Sequence, residues 1–145
     1  MNSSHPHSNP QPRTDPPTRT NTGAGRALVA VYGLFALAAT ARGVVQLATR
    51  FGEAPLAYVL SLLAGLIYVV ATLTLARGTR TSRLVALVAV SVELVGVLVV
   101  GTLSLVDPDA FPRATVWSAY GSGYGFVPLV LPVLGLLWLR HARPR

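Results

Sequence analysis

Residues 84–106 read LVALVAVSVELVGVLVVGTLSLV, with Arg83 before them, Asp107-Pro108-Asp109 after them and one charge, Glu93, inside. A helix rising 1.5 Å per residue needs about 20 residues to cross a hydrocarbon core of roughly 30 Å. The stretch meets that length without a turn signal, so it predicts a membrane-spanning helix. Three more apolar runs flank it. Residues 56–76 follow Gly52-Glu53-Ala54-Pro55 and stop at Arg77, residues 27–49 lie between Arg26 and Arg50, and residues 118–139 end at Arg140. Short linkers join neighbouring runs and predict an all-α, membrane-spanning antiparallel four-helix bundle over residues 26–145.

Composition agrees. The 145 residues are 52% hydrophobic and 12% charged, and mean hydropathy is +0.54. Soluble domains carry about 25% charged residues, so this chain has too little polar surface to face water. The net charge of +7 does not point to nucleic acid, because the arginines punctuate the ends of apolar runs instead of clustering with aromatics. No cysteine is present, which excludes disulfides, thiolate metal sites and thiol catalysis. All basic residues are arginine and Ile67 is the single isoleucine, a codon bias that predicts a GC-rich, bacterial genome.

Residues 1–25 are rich in Pro, Ser, Thr and Asn without apolar periodicity, which predicts a disordered tail. His5 and His7 within it form no fixed metal site, and no metal or other cofactor is expected. Arg13, Arg19 and Arg26, then Arg77, Arg80 and Arg83, then Arg140, Arg143 and Arg145 fall in the tail, the second linker and the C-terminus, leaving Arg50 and Arg113 to the other two linkers. Positive-inside logic predicts both termini in the cytoplasm of a bacterial inner membrane. Trp138 and His141 are expected as anchors at the inner interface, and Tyr58 and Trp117 at the outer one.

The chemistry is concentrated in two places. Arg42 and Glu93 lie inside spans, where each costs about 2.5–3.5 kcal/mol near a helix centre. Arg42, Gln46 and Thr49 make a polar stripe on the first helix, continued by Ala38 and Ala39. Ser61, Gly65, Tyr68 and Thr72 share a face of the second, and Ala86, Ala89, Glu93 and Gly96 a face of the third. These faces predict an interior polar site of Arg42, Gln46, Ser61, Tyr68, Glu93 and Tyr124, with Tyr68 near Glu93 and Ser61 nearer Arg42. Whether Arg42 and Glu93 pair directly is left open by their difference in depth, on the order of 10 Å by helical rise.

The second place is the last helix, where Gly121, Gly123 and Gly125 alternate before Pro128 and Pro132. Glycine weakens and proline kinks a helix, so its outer half is expected to bend or partly unwind against the other three. Gly123-Tyr124-Gly125 is similar to the core of potassium-channel filters. However, Gly121-Ser122 stands in place of Thr-Val, Phe126 in place of Asp, and too few residues follow for an inner helix.

The block from Val31-Tyr32 through Gly101-Thr102-Leu103-Ser104-Leu105-Val106-Asp107-Pro108 to Val116-Trp117-Ser118 and Gly123-Tyr124-Gly125-Phe126-Val127-Pro128 resembles a group of small four-helix integral membrane proteins of actinobacteria. The resemblance covers nearly all of the chain outside the tail. It implies a location and a helix count, and assigns no activity and no functional residue. Four-helix multidrug exporters are similar in size only, since their essential Glu lies in the first helix, where this chain has Arg42.

Three functions follow in order. The first is a non-enzymatic accessory or structural protein assembling with itself or another membrane protein, with membrane lipids around it. The second is a small transporter or proton-coupled carrier using Glu93, Arg42 and Tyr68. The third, a lipid-acting enzyme, is weakest: the spans hold no His, Cys or carboxylate pair for acid–base or nucleophilic work, and Asp107 and Asp109 read as a helix stop.

Overall fold

The structure, a computed structural model, describes residues 19–142. Every regular element among them is helical: α1 (Arg19–Arg50), α2 (Pro55–Arg77), α3 (Arg80–Val106), a 3-10 turn (Pro108–Ala110), a 3-10 segment (Ser118–Tyr124) and α4 (Val127–His141). Three helices are long and apolar enough to cross a membrane, or four if the 3-10 segment and α4 count as one broken span. Their outward faces are apolar: Leu34, Leu37, Val45, Leu66, Val95 and Val106 are among many large exposed hydrophobics. Such a surface is compatible with a membrane protein.

Local chemistry explains the element ends. α2 opens on Pro55, whose missing N–H costs nothing in a first turn, and closes on Gly78 at φ 65. The Thr79 hydroxyl and Ser82 form a reciprocal capping box at the start of α3. Asp107-Pro108 stops α3, and the Asp107 side chain accepts from the Ala110 amide. At α1 the helix extends from Arg19, earlier than the expected start of the apolar run at 27. Polar and small residues can continue a helix already nucleated by a long apolar run. The remainder of the expected tail, with His5 and His7, lies outside the described residues.

The fourth run, residues 118–139, is expected as one span whose outer half bends or partly unwinds; in the structure the 3-10 segment meets α4 at 99°. Ala119, Tyr120 and Gly121 take left-handed conformations (φ 47, 59 and 79), and so do Gly125 and Phe126. Only glycine adopts these without a steric penalty, so Ala119, Tyr120 and Phe126 must be held by their surroundings. Ser104 Oγ accepts from the Ala119 amide at 2.8 Å, and the Tyr120 hydroxyl meets Thr102 Oγ1 at 2.9 Å. The rings of Tyr120 and Trp117 lie on Gly101 and Gly96 of α3. Pro132, inside α4, is fully buried.

The helices are joined through small residues. Gly33 faces Thr72, Thr40 faces Gly65, and Gly43 faces Leu62. Ala36, Ala39, Ala64 and Ala71 are buried with them in one core. Gly25 lies against the Trp138 ring, and Gly135 leaves room for the Tyr32 hydroxyl. The Arg83 guanidinium donates to the carbonyls of Leu139 and Ala142, closing the C-terminal turn of α4. Arg113 in the linker after α3 pairs with Glu53 in the linker after α1 at 3.6 Å.

Two expected interfacial anchors are instead core residues. Trp117 is 2% exposed and Tyr58 1%. Each has a partner for its polar tip: Trp117 Nε1 donates to the Tyr68 hydroxyl at 3.0 Å, and the Tyr58 hydroxyl donates to Glu53 at 3.3 Å. A ring whose polar end is satisfied inside the protein has no need of the headgroup layer.

Candidate functional site: a buried carboxyl and a separate surface arginine

Glu93 sits at the centre of the α3 face formed with Ala86, Ala89 and Gly96, and is completely buried. The Tyr32 hydroxyl of α1 donates to its Oε2 at 2.8 Å. Tyr32 can reach it because Gly135 of α4 has no side chain to block the hydroxyl. Tyr68 of α2 packs on Tyr32 with ring centroids 6.2 Å apart and accepts from Trp117. Three helices and the loop before the 3-10 segment therefore converge on one buried polar cluster.

Arg42 lies elsewhere. Its side chain is exposed, and its guanidinium donates to the Tyr124 hydroxyl of the 3-10 segment. Among the described residues the one salt bridge is Arg113–Glu53, so Arg42 and Glu93 do not meet. An aromatic file lies between them: Phe35 stacks edge-on against Tyr68 (5.8 Å) and against Tyr124 (5.9 Å). Edge-to-face aromatic contacts of this kind contribute about 0.5–1.5 kcal/mol each beyond burial. The two charges are thus set apart by a packed wall.

Of the other expected site residues, Ser61 is buried on α2 and Gln46 is half-buried on α1. Gly121 is buried against Pro128, which is itself fully buried, while Gly123 and Gly125 are exposed. The stripe expected on α1 is divided: Ala39 is buried and Gln46 half-buried, whereas Arg42, Thr49 and Ala38 are exposed, and Thr49 returns its hydroxyl to the Val45 carbonyl at 2.6 Å. The interior face runs through Tyr32, Ala36, Ala39 and Gly43. Tyr32, Phe35 and Trp117 join the polar cluster without having been singled out as site residues. A tyrosine whose hydroxyl would serve a carboxyl one helix away leaves no local pattern, although its apolar i, i+4 continuation to Ala36 is visible.

Three buried side-chain oxygens among the described residues have no hydrogen-bond partner: Thr40 Oγ1, Gln46 Oε1 and Glu93 Oε1. An unmade hydrogen bond on a buried group costs about 1–3 kcal/mol. The cluster around Glu93 is therefore only half satisfied on its carboxyl. No protein-family model, curated protein or solved structure matches the chain.

Proposed function

We propose that the protein is a small, non-enzymatic accessory protein of a bacterial plasma membrane. In this reading it crosses the bilayer four times, with both termini in the cytoplasm, and assembles with a partner through the face of α1 that carries Arg42. The observation that carries the partner is the exposure of Arg42 within an apolar span. A guanidinium there is costly unless it meets a carboxylate, a hydrogen-bonding surface or the headgroup layer, and among the described residues its partner is the Tyr124 hydroxyl. Leu34, Ala38 and Val45, on the same side of the helix, are also exposed, which gives a neighbouring helix an apolar stripe beside the charge.

Several contacts support four antiparallel crossings. Gly33–Thr72, Thr40–Gly65 and Gly43–Leu62 pair with falling numbers on one helix as they rise on the other. Gly25–Trp138 and Arg83–Ala142 gather the N-terminal side of α1, the second linker and the end of α4. Glu53–Arg113 gathers the other two linkers. Irregular backbone at membrane depth needs internal partners, and here the Ala119 amide donates to Ser104 Oγ of α3 while the Gly125 and Phe126 amides donate to the Ser122 and Gly121 carbonyls. The resemblance to small four-helix membrane proteins of actinobacteria is of a piece with this placement.

The alternative, a proton-coupled carrier, needs Glu93 and Arg42 to share a wet path. The bare Oε1 of Glu93 favours it, but the aromatic wall between the two charges weighs against it.

The chain has no cysteine, so the assembly is testable with single introduced thiols. Ala38→Cys, one turn from Arg42 on the same face, treated in native membranes with a short bifunctional crosslinker, is expected to give a discrete adduct. Adding Arg42→Leu is expected to reduce that adduct severalfold. Recovery of free monomer alone from Ala38→Cys membranes would contradict the assembly.

A further inference from the structure

A groove of about 790 Å³ runs along the outside of the molecule between α1 and α4. Ala27 and Val31 line one wall, Val130 and Leu134 the other, and Trp138 and His141 stand at one end. We infer that this groove seats one acyl chain of an anionic phospholipid from the cytoplasmic leaflet, with its headgroup at the arginine-rich end; the inference rests on the membrane placement proposed above.

The dimensions suit a lipid. From Val127 to His141 the α4 wall is roughly 21 Å long at 1.5 Å per residue, against a single-leaflet depth of about 15 Å, half the hydrocarbon core. A chain entering at the His141 end therefore finds apolar wall along its whole length. At the far end the groove is lined by Gly125 and Val127.

The α4 wall is built from Val127, Val130, Leu131 and Leu134, a branched apolar contour that a flexible acyl chain can follow.

Charge selects the headgroup. His141 lines this end of the groove, and Arg26 on α1 and Arg140 on α4 are exposed at the same end of the two helices, outside the lining, where long side chains can reach the headgroup layer. The described acidic residues lie elsewhere: Glu53, Asp107 and Asp109 in the linkers at the opposite end, and Glu93 in the core. Each arginine near an anionic surface favours binding about fivefold.

Trp138 is a built-in reporter, because it lines the groove while Trp117 is buried. The full chain is reconstituted into vesicles holding a minor fraction of lipid brominated on its acyl chains, either phosphatidylglycerol or phosphatidylcholine, in an otherwise unbrominated mixture. A Trp138→Phe variant identifies which signal is quenched. Brominated phosphatidylglycerol is expected to quench Trp138 at a several-fold lower mole fraction than brominated phosphatidylcholine. Arg26→Gln with Arg140→Gln should erase most of that difference, and Ala27→Phe, which fills the groove, should weaken quenching by both lipids.

Equal quenching by the two lipids would overturn the headgroup selection. Protein that floats with the vesicles but is quenched by neither has its groove covered by protein, which overturns the inference outright. Protein that fails to float with the vesicles would instead contradict the membrane placement itself.

Discussion

Gly65→Leu protein is expected to lose its fold in detergent, eluting as aggregate or melting more than about 10 °C below the wild type. The cause is a backbone contact. A Cβ at Gly65 would lie 2.8 Å from the Thr40 amide nitrogen and 2.9 Å from the Thr40 Cα, with Thr40 Oγ1 at 2.6 Å. A rotamer change can move the hydroxyl, but nothing except separation of α1 from α2 can move the backbone. Overpacking of a tight core costs about 1–3 kcal/mol even where side chains can give, and here they cannot. Separation would also pull apart the Gly43–Leu62 approach on the same seam and withdraw Tyr32 from Glu93. Leu66→Ala, one position along at a site 51% exposed, should melt within a few degrees of wild type, since surface changes fall within about ±0.5 kcal/mol. Melting curves in one detergent decide it. Wild-type behaviour of Gly65→Leu would show that the α1–α2 approach is not as close as described.

The second large effect is expected at Glu93. Glu93→Ala removes a completely buried side chain and strands the Tyr32 hydroxyl that donates to it. Large-to-small core changes cost about 2–5 kcal/mol, and the orphaned hydroxyl adds about 1–3 kcal/mol. Tyr32→Phe strands the carboxyl instead and should cost about 1–3 kcal/mol. Glu93→Gln keeps an acceptor for Tyr32 in the same place and should be the mildest of the three.

The sharp form of this prediction is the double variant. Once Glu93 is alanine, Tyr32→Phe should cost nothing further and should recover part of the loss, because both members of the pair are then apolar. A coupling energy of about 1–3 kcal/mol between the two sites is expected from chemical or thermal unfolding in detergent. Strict additivity would mean that the two side chains do not interact.

Legibility differed from element to element for physical reasons. The second and third spans were readable to within a few residues from their apolar length, with Pro55 and Asp107-Pro108 as local start and stop; Gly78 and the Thr79–Ser82 capping box, which set the other two ends, were not singled out in the sequence. The faces of α2 and α3 were readable as well. Ser61, Gly65 and Tyr68, and Ala86, Ala89 and Glu93, are all buried, as small and polar residues at helical spacing suggest.

On α1 the same logic met a divided stripe. Ala39 is buried and Gln46 half-buried, yet Thr49 satisfies itself on its own backbone and Arg42 is turned outward to Tyr124. A charge in an apolar run signals that something must receive it, but the run does not say whether the receiver lies in the same chain.

The fourth span was half legible. Gly121, Gly125 and the two prolines announced irregular backbone, but Ala119, Tyr120 and Phe126 carry no local preference for left-handed geometry. Ala119 and Tyr120 are held by Ser104, Thr102 and Gly101 of α3, which is tertiary information, and the Phe126 amide donates to the Gly121 carbonyl. The Tyr32–Glu93 bond, sixty-one positions apart, was hidden for the same reason.

The central claim is the path of the chain through the bilayer, and single introduced cysteines test it most directly. Asp109→Cys, Thr81→Cys and Ala142→Cys each place a thiol at an exposed or half-exposed position outside the long apolar runs. In intact cells a membrane-impermeant maleimide should label Asp109→Cys, and should reach Thr81→Cys and Ala142→Cys only after permeabilisation. Labelling of Ala142→Cys from outside, or protection of Asp109→Cys, would contradict the account.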